Sequence, residues 1–485
     1  MNPVIIGEGS FGCIHKPSLR CKQYRPKKFY TNRVSKMLHS QEALEELKEY
    51  VAVQNADPHS EYYIGKPDQC SLNYKTNEGI KYLSDTDIDA VSDCKYGVDA
   101  IGNPDKFKLL IMSDGGISLK QYANELALRS PTKENIEKNE LFWIEVLRLF
   151  MGISVFLNND LVHHDIKPHN ITYKEESNRV NYIDFGLMRR ASEMISTSNL
   201  YSQERWFNFP IEVSLWEKDL FELHTTMRKK TKSKKFNKEL QELIEGQTHN
   251  AIHMQTFMTY VINPNATNET RSNFLYNYLY NYFTCTDEYT SQDIHQSYKL
   301  FVTKSVETFD IYGLGMTLLY VFNHCEHLFP KGQFWKYDIL LILRRMISSD
   351  RPRIEDCIDE YEYMLSNSGL LVKHNKRIEN HRIVDGTEPI FSIIQGISVN
   401  DILLSEKKAD AIAAVSPIHP CPEDKEYNPK TKKCVPKCGA GYFRNMTTFR
   451  CNKEKTARAK TRKSVAGKSS ELSKKPLHSR TNKSK

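Results

Sequence analysis

Short apolar runs separated by glycine, proline and polar residues characterise the first part of the chain. Residues 4–7 (Val-Ile-Ile-Gly) and 30–37 predict two strands, and residues 107–112 predict a third, buried strand. Between residues 41 and 54 the apolar side chains recur at helical spacing, which predicts an amphipathic helix. Residues 57–105 have no clear period and are predicted to be rich in loops. The pattern indicates a mainly β region that contains one helix.

Longer helical patterns follow this region. Ser130-Pro131 predicts the start of a helix, with the serine as N-cap, that continues to about Asn158. Residues 309–320 form a second apolar helical pattern, which is too short for a bilayer and suits the centre of a helical domain. The stretch 213–308 is interpreted as an insertion, and its aromatic stripe at 274–283 as a helix face packed on a core.

Composition limits the class of protein. The 485 residues, 39% of them hydrophobic, suffice for two or three domains with buried cores. No apolar stretch is long enough to cross a membrane, and the N-terminus lacks the basic and apolar segments of a signal peptide. We therefore expect an intracellular protein that is not secreted and has no membrane partner. Seven scattered cysteines are expected to be reduced in that setting: Cys13, Cys21, Cys70, Cys94, Cys285, Cys325 and Cys357.

The basic excess of the chain lies in its last 34 residues. Residues 452–485 carry twelve Lys or Arg and two Glu, a net charge of +10, and subtracting this from the total of +8 leaves −2 for residues 1–451. Residues 453–485 contain few large apolar side chains and are predicted to be disordered. The segment is interpreted either as a non-specific contact for nucleic acid or as a solubilising tail.

A glycine motif follows the first predicted strand. Gly7, Gly9 and Gly12 have the spacing Gly-x-Gly-x-x-Gly, which lets a backbone turn fold closely over phosphate groups. The same spacing occurs in dinucleotide-binding folds, where a helix follows it. Here Pro17 prevents an immediate helix interior, so the sequence favours a strand-turn-strand hairpin.

The residues Leu161 to Lys174 carry the most specific chemical signal of the chain. Asp165, Lys167 and Asn170 lie at relative positions 0, +2 and +5, and Asp184-Phe-Gly begins 19 residues after Asp165. Phosphoryl transfer from Mg-ATP needs these groups. One carboxylate orients the attacking hydroxyl, an amide and a second carboxylate bind metal, and a lysine offsets charge on the transferred group.

In this order the motifs resemble the eukaryotic protein kinase superfamily over roughly residues 4–365. The residues within several of these motifs resemble those of serine/threonine-protein kinases of giant, mimivirus-like DNA viruses. The resemblance implies an α+β, two-lobed fold, with ATP and Mg2+ as cofactors and a protein as substrate. It implies that Asp165 and Lys167 are catalytic and that Asn170 and Asp184 bind metal. The implied nucleotide-binding residues are Ile6, Gly7, Gly9, Gly12, Ile14, Lys36, Glu46, Met112 and Asp114.

Several of these assignments leave alternatives. Lys36 follows Gly12 by 24 residues, more than the family usually has, and Lys16 is the alternative lysine. Glu46 is preferred as the partner of Lys36, with Glu45 and Glu49 also possible.

Four further positions are compared with the family pattern. His164 replaces the arginine that in this family binds an activation-loop phosphate, so control by such a phosphate is not expected. Asp310 is interpreted as a structural brace of the catalytic loop. Glu212 and Arg351 are interpreted as a structural ion pair.

Four cysteines form a separate group near the C-terminus. Their spacing is Cys-x12-Cys-x3-Cys-x12-Cys. Four thiolates could bind Zn2+ tetrahedrally, two disulfides would suit an oxidising setting, and four unlinked thiols are the third alternative. The residues are Cys421, Cys434, Cys438 and Cys451.

We therefore predict four segments: a small lobe (1–112), a larger helical lobe (113–405, with the insertion 213–308), a cysteine module (416–452) and a basic tail (453–485). The predicted function is that of a serine/threonine kinase, in host-cell cytoplasm or nucleus or in a virus particle. The alternatives are a pseudokinase-type scaffold and a nucleic-acid-associated virion protein.

Overall fold

A computed structural model of the chain describes residues 2–9, 12–78, 80–83, 85–201, 208–219, 221–222, 293–330 and 332–386, and the shorter stretches 425–428, 433–436, 442–444 and 451–453. The chain divides into two compact units, Met1–Ile390 and Phe391–Lys485. The first unit is a mixed α+β structure with an N-terminal antiparallel sheet and a helical region.

The sheet contains five strands: β1 (Val4–Glu8), β2 (Gly12–Lys16), β3 (Arg33–His39), β4 (Asp68–Ser71) and β7 (Phe107–Ser113). Their order is β1-β2-β3-β7-β4, and all are antiparallel to their neighbours. The predicted strands at 4–7, 30–37 and 107–112 correspond to β1, β3 and β7, with slightly different bounds. The predicted helix is also present as α1 (Ser40–Ala56), and it buries Ala43, Tyr50 and Val53.

The prediction of a loop-rich stretch at 57–105 was wrong in part. It contains β4, the hairpin of β5 (Tyr74–Asn77) and β6 (Ile80–Leu83), and helices α2 (Asp85–Ser92) and α3 (Gly97–Gly102). Most of β5 is exposed, so its sequence lacks the alternation that identifies a half-buried strand. Val91 and Ala100 of the two helices join Phe107 and Leu109 in a core on one face of the sheet.

The helical region has a larger core, with Trp143, Phe150, Tyr182 and Tyr312 among its fully buried side chains. The helices are α4 (Leu119–Leu128), α5 (Lys133–Glu145), α6 (Leu147–Asn158), α7 (Ala191–Ser196), α8 (Ser198–Tyr201), α9 (Ile294–Glu307), α10 (Phe309–Cys325), α11 (Trp335–Met346), α12 (Ile354–Asn367) and α13 (Leu370–Lys373). The predicted helix at 309–320 corresponds to α10, which is buried along most of its length.

The helix predicted from Ser130 to Asn158 is two helices. The N-cap is Thr132, whose hydroxyl accepts a hydrogen bond from the N–H of Asn135 at 3.3 Å. The first helix ends at Glu145 and the second begins at Leu147, so the regular helical hydrogen-bond pattern is interrupted at Val146, whose backbone stays in the right-handed helical region. The apolar pattern continues through this point and conceals the break.

Short strands between these helices form the base of the candidate site. They are β8 (Ile117–Ser118), β9 (Leu161–Val162), β10 (Ile171–Lys174), β11 (Arg179–Tyr182) and β12 (Arg189–Arg190). β10 lies between β8 and β11, and β9 pairs with β12. The first unit also contains the hairpin of β13 (Lys376–Glu379) and β14 (Arg382–Asp385).

In the second unit the described residues form two hairpins, one of β15 (Lys425–Asn428) with β16 (Lys433–Pro436) and one of β17 (Tyr442–Arg444) with β18 (Cys451–Lys453). The predicted tail, the aromatic stripe and most of the insertion lie outside the described residues. Among the helices that the structure describes, none combines the length and hydropathy needed to span a bilayer.

Candidate active site

The glycine motif lies where β1 ends and β2 begins, with Gly7 on β1 and Gly12 on β2. The N–H of Gly9 donates to the carbonyl oxygen of Gly12 at 2.9 Å, which closes the hairpin. A Cβ atom at Gly12 would lie 2.2 Å from the carbonyl oxygen of Met37 on β3. Only glycine fits at this approach of two strands, so the last glycine of the motif is required by the pairing of β2 with β3.

The flanking residues of the hairpin belong to the same sheet as the third strand. Gly7 is opposite Ile14 in the β1–β2 register, and Ile14 is opposite Lys36 in the β2–β3 register. Ile6 is 48% exposed, as expected of an apolar side chain on an edge strand that covers no core. The predicted nucleotide-contacting residues of the hairpin therefore lie next to the predicted lysine.

Lys36 and Glu46 form an ion pair between β3 and α1. The Nζ atom of Lys36 lies 2.6 Å from Oε2 of Glu46, and the two side chains are 17% and 15% exposed. Partial burial removes water competition and favours a fixed geometry over a solvated lysine. The prediction that Glu46 contacts Lys36 is therefore confirmed. Glu45 instead accepts a hydrogen bond from Gln41 on the exposed side of α1.

The two alternative residues, Lys16 and Glu49, interact with other side chains. Lys16 pairs with Asp114 at 2.8 Å. Glu49 is one turn after Glu46, and burial raises its pKa to about 7 with help from the carboxylates of Glu46 and Asp184. Because the charges of Glu46 and Asp184 both act on Glu49, this part of α1 lies near the segment that contains Asp184.

Met112 and Asp114 lie at the end of β7, where the chain leaves the sheet. Met112 is opposite Val34 in register and is largely buried. The Asp114 carboxylate contacts Lys16 at 2.8 Å and Lys174 of β10 at 3.6 Å. Burial alone would raise the pKa of Asp114, but the two lysines and the N–H of Gly116 lower it below its ordinary value. The Asp114 side chain thus links the sheet to the helical region.

Asp165 is the centre of a compact hydrogen-bonded group between β9 and β10. Its Oδ2 atom accepts from Nζ of Lys167 and from Nδ2 of Asn170, both at 2.7 Å. Asn170 also donates to the main-chain oxygen of Asp165 at 2.9 Å. The three residues predicted from their 0, +2, +5 spacing are brought together, with Asp165 and Asn170 buried and Lys167 one quarter exposed.

Asn208 is a member of this group that sequence reasoning missed. Its Nδ2 atom donates to Oδ1 of Asp165 at 3.1 Å and to the main-chain oxygen of Ile166 at 3.3 Å. Asn208 follows Asp165 by 43 residues within Trp206-Phe-Asn-Phe-Pro, a sequence in which a single polar residue lies among aromatic ones. In the sequence, this single polar residue among aromatic ones was the pattern that could have indicated a functional role for Asn208.

Asp310 supports the loop from below. From the first turn of α10, its carboxylate accepts the main-chain N–H of His163 at 2.6 Å and that of His164 at 3.0 Å. Burial raises the pKa of Asp310, while both N–H groups and the imidazole of His163 act in the opposite direction. The predicted brace is confirmed, because the two residues before Asp165 are attached directly to a core helix.

Asp184 follows β11 at a strained point of the backbone. Its φ angle is +63°, in the left-handed region that L-residues rarely adopt. The preceding N–H of Ile183 donates to the main-chain oxygen of Asn170 at 3.0 Å. The following Phe185 is buried against the rings of Tyr50 and His163. These contacts join the segment of Asp184 to the loop of Asp165.

The oxygen atoms of Asn170 and Asp184 fit a magnesium ion chemically. Mg2+ prefers hard oxygen ligands and often has few from the protein itself. Asn170 uses its amide nitrogen to bind Asp165, so its Oδ1 atom is the one that could hold a cation. The donor set is therefore an amide oxygen and a carboxylate, as Mg2+ requires.

His164 is buried between two aromatic rings. Its imidazole lies 4.7 Å from the ring centroid of Phe209 and 4.6 Å from that of Phe309. Burial, followed by repulsion from Arg189, lowers its pKa to about 3. The side chain is neutral at physiological pH and packed in the core, so it does not present the charge that an arginine would offer to a phosphate.

Glu212 and Arg351 form the predicted ion pair, and both side chains are almost fully buried. The guanidinium also donates through Nε to Oγ1 of Thr308 at 2.8 Å. The pair joins the segment after Asn208 to the start of α12, so its contacts are those of a structural element.

The prediction that the cysteines of the sheet region are reduced was wrong. Cys13–Cys94 and Cys21–Cys70 are disulfides, with Cα–Cα distances of 6.0 and 5.7 Å, rather than reduced thiols. The partners are 81 and 49 residues apart in sequence, so their pairing depends on the fold. Glu8, Cys13 and Cys94 come close enough to hold a metal, but the two sulfurs are bonded to each other.

The other cysteines have different outcomes. Cys325 and Cys357 are free thiols, as predicted, and both are buried. Cys285, Cys421 and Cys438 lie outside the described residues. Cys434 lies on β16 opposite Tyr427, and Cys451 lies on β18 opposite Arg444. Zinc binding by the second unit stays a prediction.

Comparison with known proteins adds no relative to this picture. No protein-family model matches the chain, and no curated protein matches it in sequence. The geometry of the site is therefore the basis for the proposed function.

Proposed function

We propose that the chain is a serine/threonine protein kinase with a two-lobed fold, in which the sheet region is the small lobe and the helical region the large one. The observation that carries the proposal is the group around Asp165, whose carboxylate accepts hydrogen bonds from Lys167 and Asn170. The ion pair of Lys36 with Glu46 under the glycine hairpin supports it. These contacts match the arrangement that phosphoryl transfer requires.

The residues have distinct roles in this proposal. The glycine hairpin covers the phosphates of ATP, and Lys36, oriented by Glu46, contacts them. Ile6, Ile14 and Met112 contribute apolar surface beside the nucleotide. Asn170 and Asp184 would hold Mg2+, which would supply positive charge against the phosphates.

Asp165 orients the hydroxyl of a serine or threonine and accepts its proton as that oxygen bonds to the γ-phosphorus atom. The bond from the γ-phosphorus to the bridging oxygen breaks, and ADP leaves. Lys167, next to Asp165, offsets the negative charge on the phosphoryl group in transit. Asp310 holds the loop in position through two main-chain hydrogen bonds and touches no reacting atom.

A phosphotransfer assay with full-length protein tests this proposal. Mg-ATP labelled on the γ-phosphate is offered with casein or myelin basic protein, and phosphoamino acid analysis identifies the acceptor. We expect Asp165→Asn to lower kcat by roughly 10²–10⁴-fold, the usual contribution of general base catalysis. Asp184→Ala should abolish transfer. Asp359→Asn, at an exposed position of α12, is the matched control and should leave the rate unchanged.

Equal label incorporation by the wild type and both site variants would refute the kinase. A thermal shift with Mg-ATP but no transfer would instead indicate a scaffold that binds nucleotide. Salt-sensitive binding of nucleic acid that disappears on deletion of residues 452–485 would support a role for the tail.

A further inference from the structure

The two disulfides of the sheet region differ in their relation to the glycine hairpin. Cys13 directly follows Gly12, the last glycine of the motif, and it is the first residue after the turn. Its partner Cys94 lies between α2 and α3. A covalent bond therefore connects the proposed phosphate-covering turn to a helical segment on the sheet.

Two further contacts join the hairpin to the same segment. The N–H of Lys95 donates to Oε1 of Glu8, the last residue of β1, at 2.7 Å. The imidazole Nε2 of His15 on β2 lies 3.1 Å from the main-chain oxygen of Ala90, and both residues are buried. Both strands of the hairpin are thus attached to residues 90–95, and the disulfide is the covalent member of this set.

The hairpin depends on such attachment because β1 is an edge strand. Among the strands that the structure describes, it pairs with β2 alone, and its register is irregular between Ile5 and Gly7. Val4 and Ile6 are exposed, and β1 has no fully buried residue. An edge strand with so little buried surface is held weakly by its own packing, so an external anchor has a large effect on its position.

We propose that the Cys13–Cys94 disulfide positions the glycine hairpin for nucleotide binding, and that the affinity for ATP therefore depends on the redox state of this one cysteine pair. The inference rests on the proposed kinase function. When the bond is intact, the turn is held close to its binding position and little freedom is lost on binding. When the bond is broken, ATP must order the hairpin itself.

The redox step is a thiol–disulfide exchange. A small dithiol transfers two electrons and two protons to the Cys13–Cys94 bond, which yields two protein thiols and the cyclic disulfide of the reagent. An external disulfide such as oxidised glutathione reverses the reaction through a mixed disulfide and leaves as its thiol. The buried side chain of Cys13 makes the reaction slow, so reduction requires long incubation.

The second disulfide provides a matched control. Cys21 and Cys70 belong to the same core cluster as Cys13 and Cys94, but they connect the segment after β2 to β4. Breaking this bond removes a crosslink of comparable kind from the same region without touching the hairpin. A general loss of stability would affect both pairs, whereas a positioning role would affect only the first.

The experiment compares KM for ATP and kcat of full-length wild type, Cys13→Ser/Cys94→Ser and Cys21→Ser/Cys70→Ser, each oxidised and reduced. Non-reducing peptide mapping verifies the bonds. We expect reduction to raise KM for ATP roughly five- to tenfold in the wild type and the Cys21/Cys70 variant, with little change in kcat. Cys13→Ser/Cys94→Ser should have the high KM in both conditions.

Two other results have separate meanings. A KM that is insensitive to reduction in an active enzyme, or one that rises equally in both double variants, would overturn the positioning role and leave the kinase intact. Absence of transfer in every sample would overturn the proposed function and this inference with it. If Cys13→Ser/Cys94→Ser fails to fold, the redox comparison within Cys21→Ser/Cys70→Ser still decides, because that variant retains the Cys13–Cys94 bond.

Discussion

The neutral His164 in the core predicts a measurable dependence of stability on pH. In the fold its pKa is lowered to about 3, mainly by burial, whereas an unfolded histidine titrates near 6.5. Below pH 6.5 the unfolded chain therefore binds a proton that the folded chain does not. The stability that His164 contributes is complete above pH 6.5 and is lost as the pH falls toward 3.

The magnitude follows from the difference between the two titrations. Each pH unit below the unfolded pKa costs ~1.4 kcal/mol while the folded side chain stays neutral, so acidification from about pH 7.5 to pH 5 should remove ~2 kcal/mol of stability through this residue alone. The substitution His164→Asn removes the titration. Asparagine also tolerates the φ of +65° at this position better than most residues.

Urea unfolding at a series of pH values measures the effect. The stability of His164→Asn relative to wild type should rise by ~2 kcal/mol between about pH 7.5 and pH 5. His59→Asn is the matched control, since His59 is exposed, and its difference from wild type should not change with pH in this way. If the difference for His164→Asn is constant across this range, the imidazole is not held neutral and the burial argument is refuted.

Four other predictions concern single side chains. Lys36→Ala should lower kcat/KM for ATP by roughly 10²-fold. Lys48→Ala, at an exposed position of the neighbouring helix α1, should leave kcat/KM unchanged, and equal effects of the two substitutions would contradict the assigned contact. Glu212→Gln should lower stability by about 3–5 kcal/mol in urea unfolding, because its guanidinium partner stays buried without a counter-charge, and an unchanged midpoint would argue against the pair. Asp310→Ala should cost about 1–3 kcal/mol for each of the two main-chain N–H groups that lose their acceptor, with a smaller loss counting against the brace. Burial raises the pKa of Cys357 to about 12, so iodoacetamide at pH 8 should label it only after unfolding; rapid labelling of native protein, detected by mass spectrometry, would contradict its burial.

The parts of the fold that were predictable have a strong period or a tight local motif. The helix α1 has an apolar stripe at helical spacing, and the turn at Gly12 needs glycine because another strand passes within contact distance. The contact of Asp165 with Asn170 was predictable because both residues lie on one short loop. In each case the sequence neighbours are also the spatial neighbours.

The parts that were missed depend on long-range contacts or on exposed elements. The bond from Asn208 to Asp165 joins residues 43 positions apart, and no sequence spacing specifies it. The pairing of Cys13 with Cys94 depends on the placement of α2 over the sheet. Strand β5 is mostly exposed and therefore lacks hydrophobic alternation. The break at Val146 lies within a stretch where apolar residues continue at helical spacing, so the sequence resembles that of an unbroken helix.

The Asp114 carboxylate makes two lysines from different parts of the first unit depend on one side chain. It is shared by Lys16 from the sheet and Lys174 from the short strands of the helical region, and Lys174 also donates to the main-chain oxygen of Asp114 at 3.3 Å. Removal of this carboxylate would therefore take the ion-pair partner from both ammonium groups at once, and the end of β2 would lose its link through Asp114 to β10.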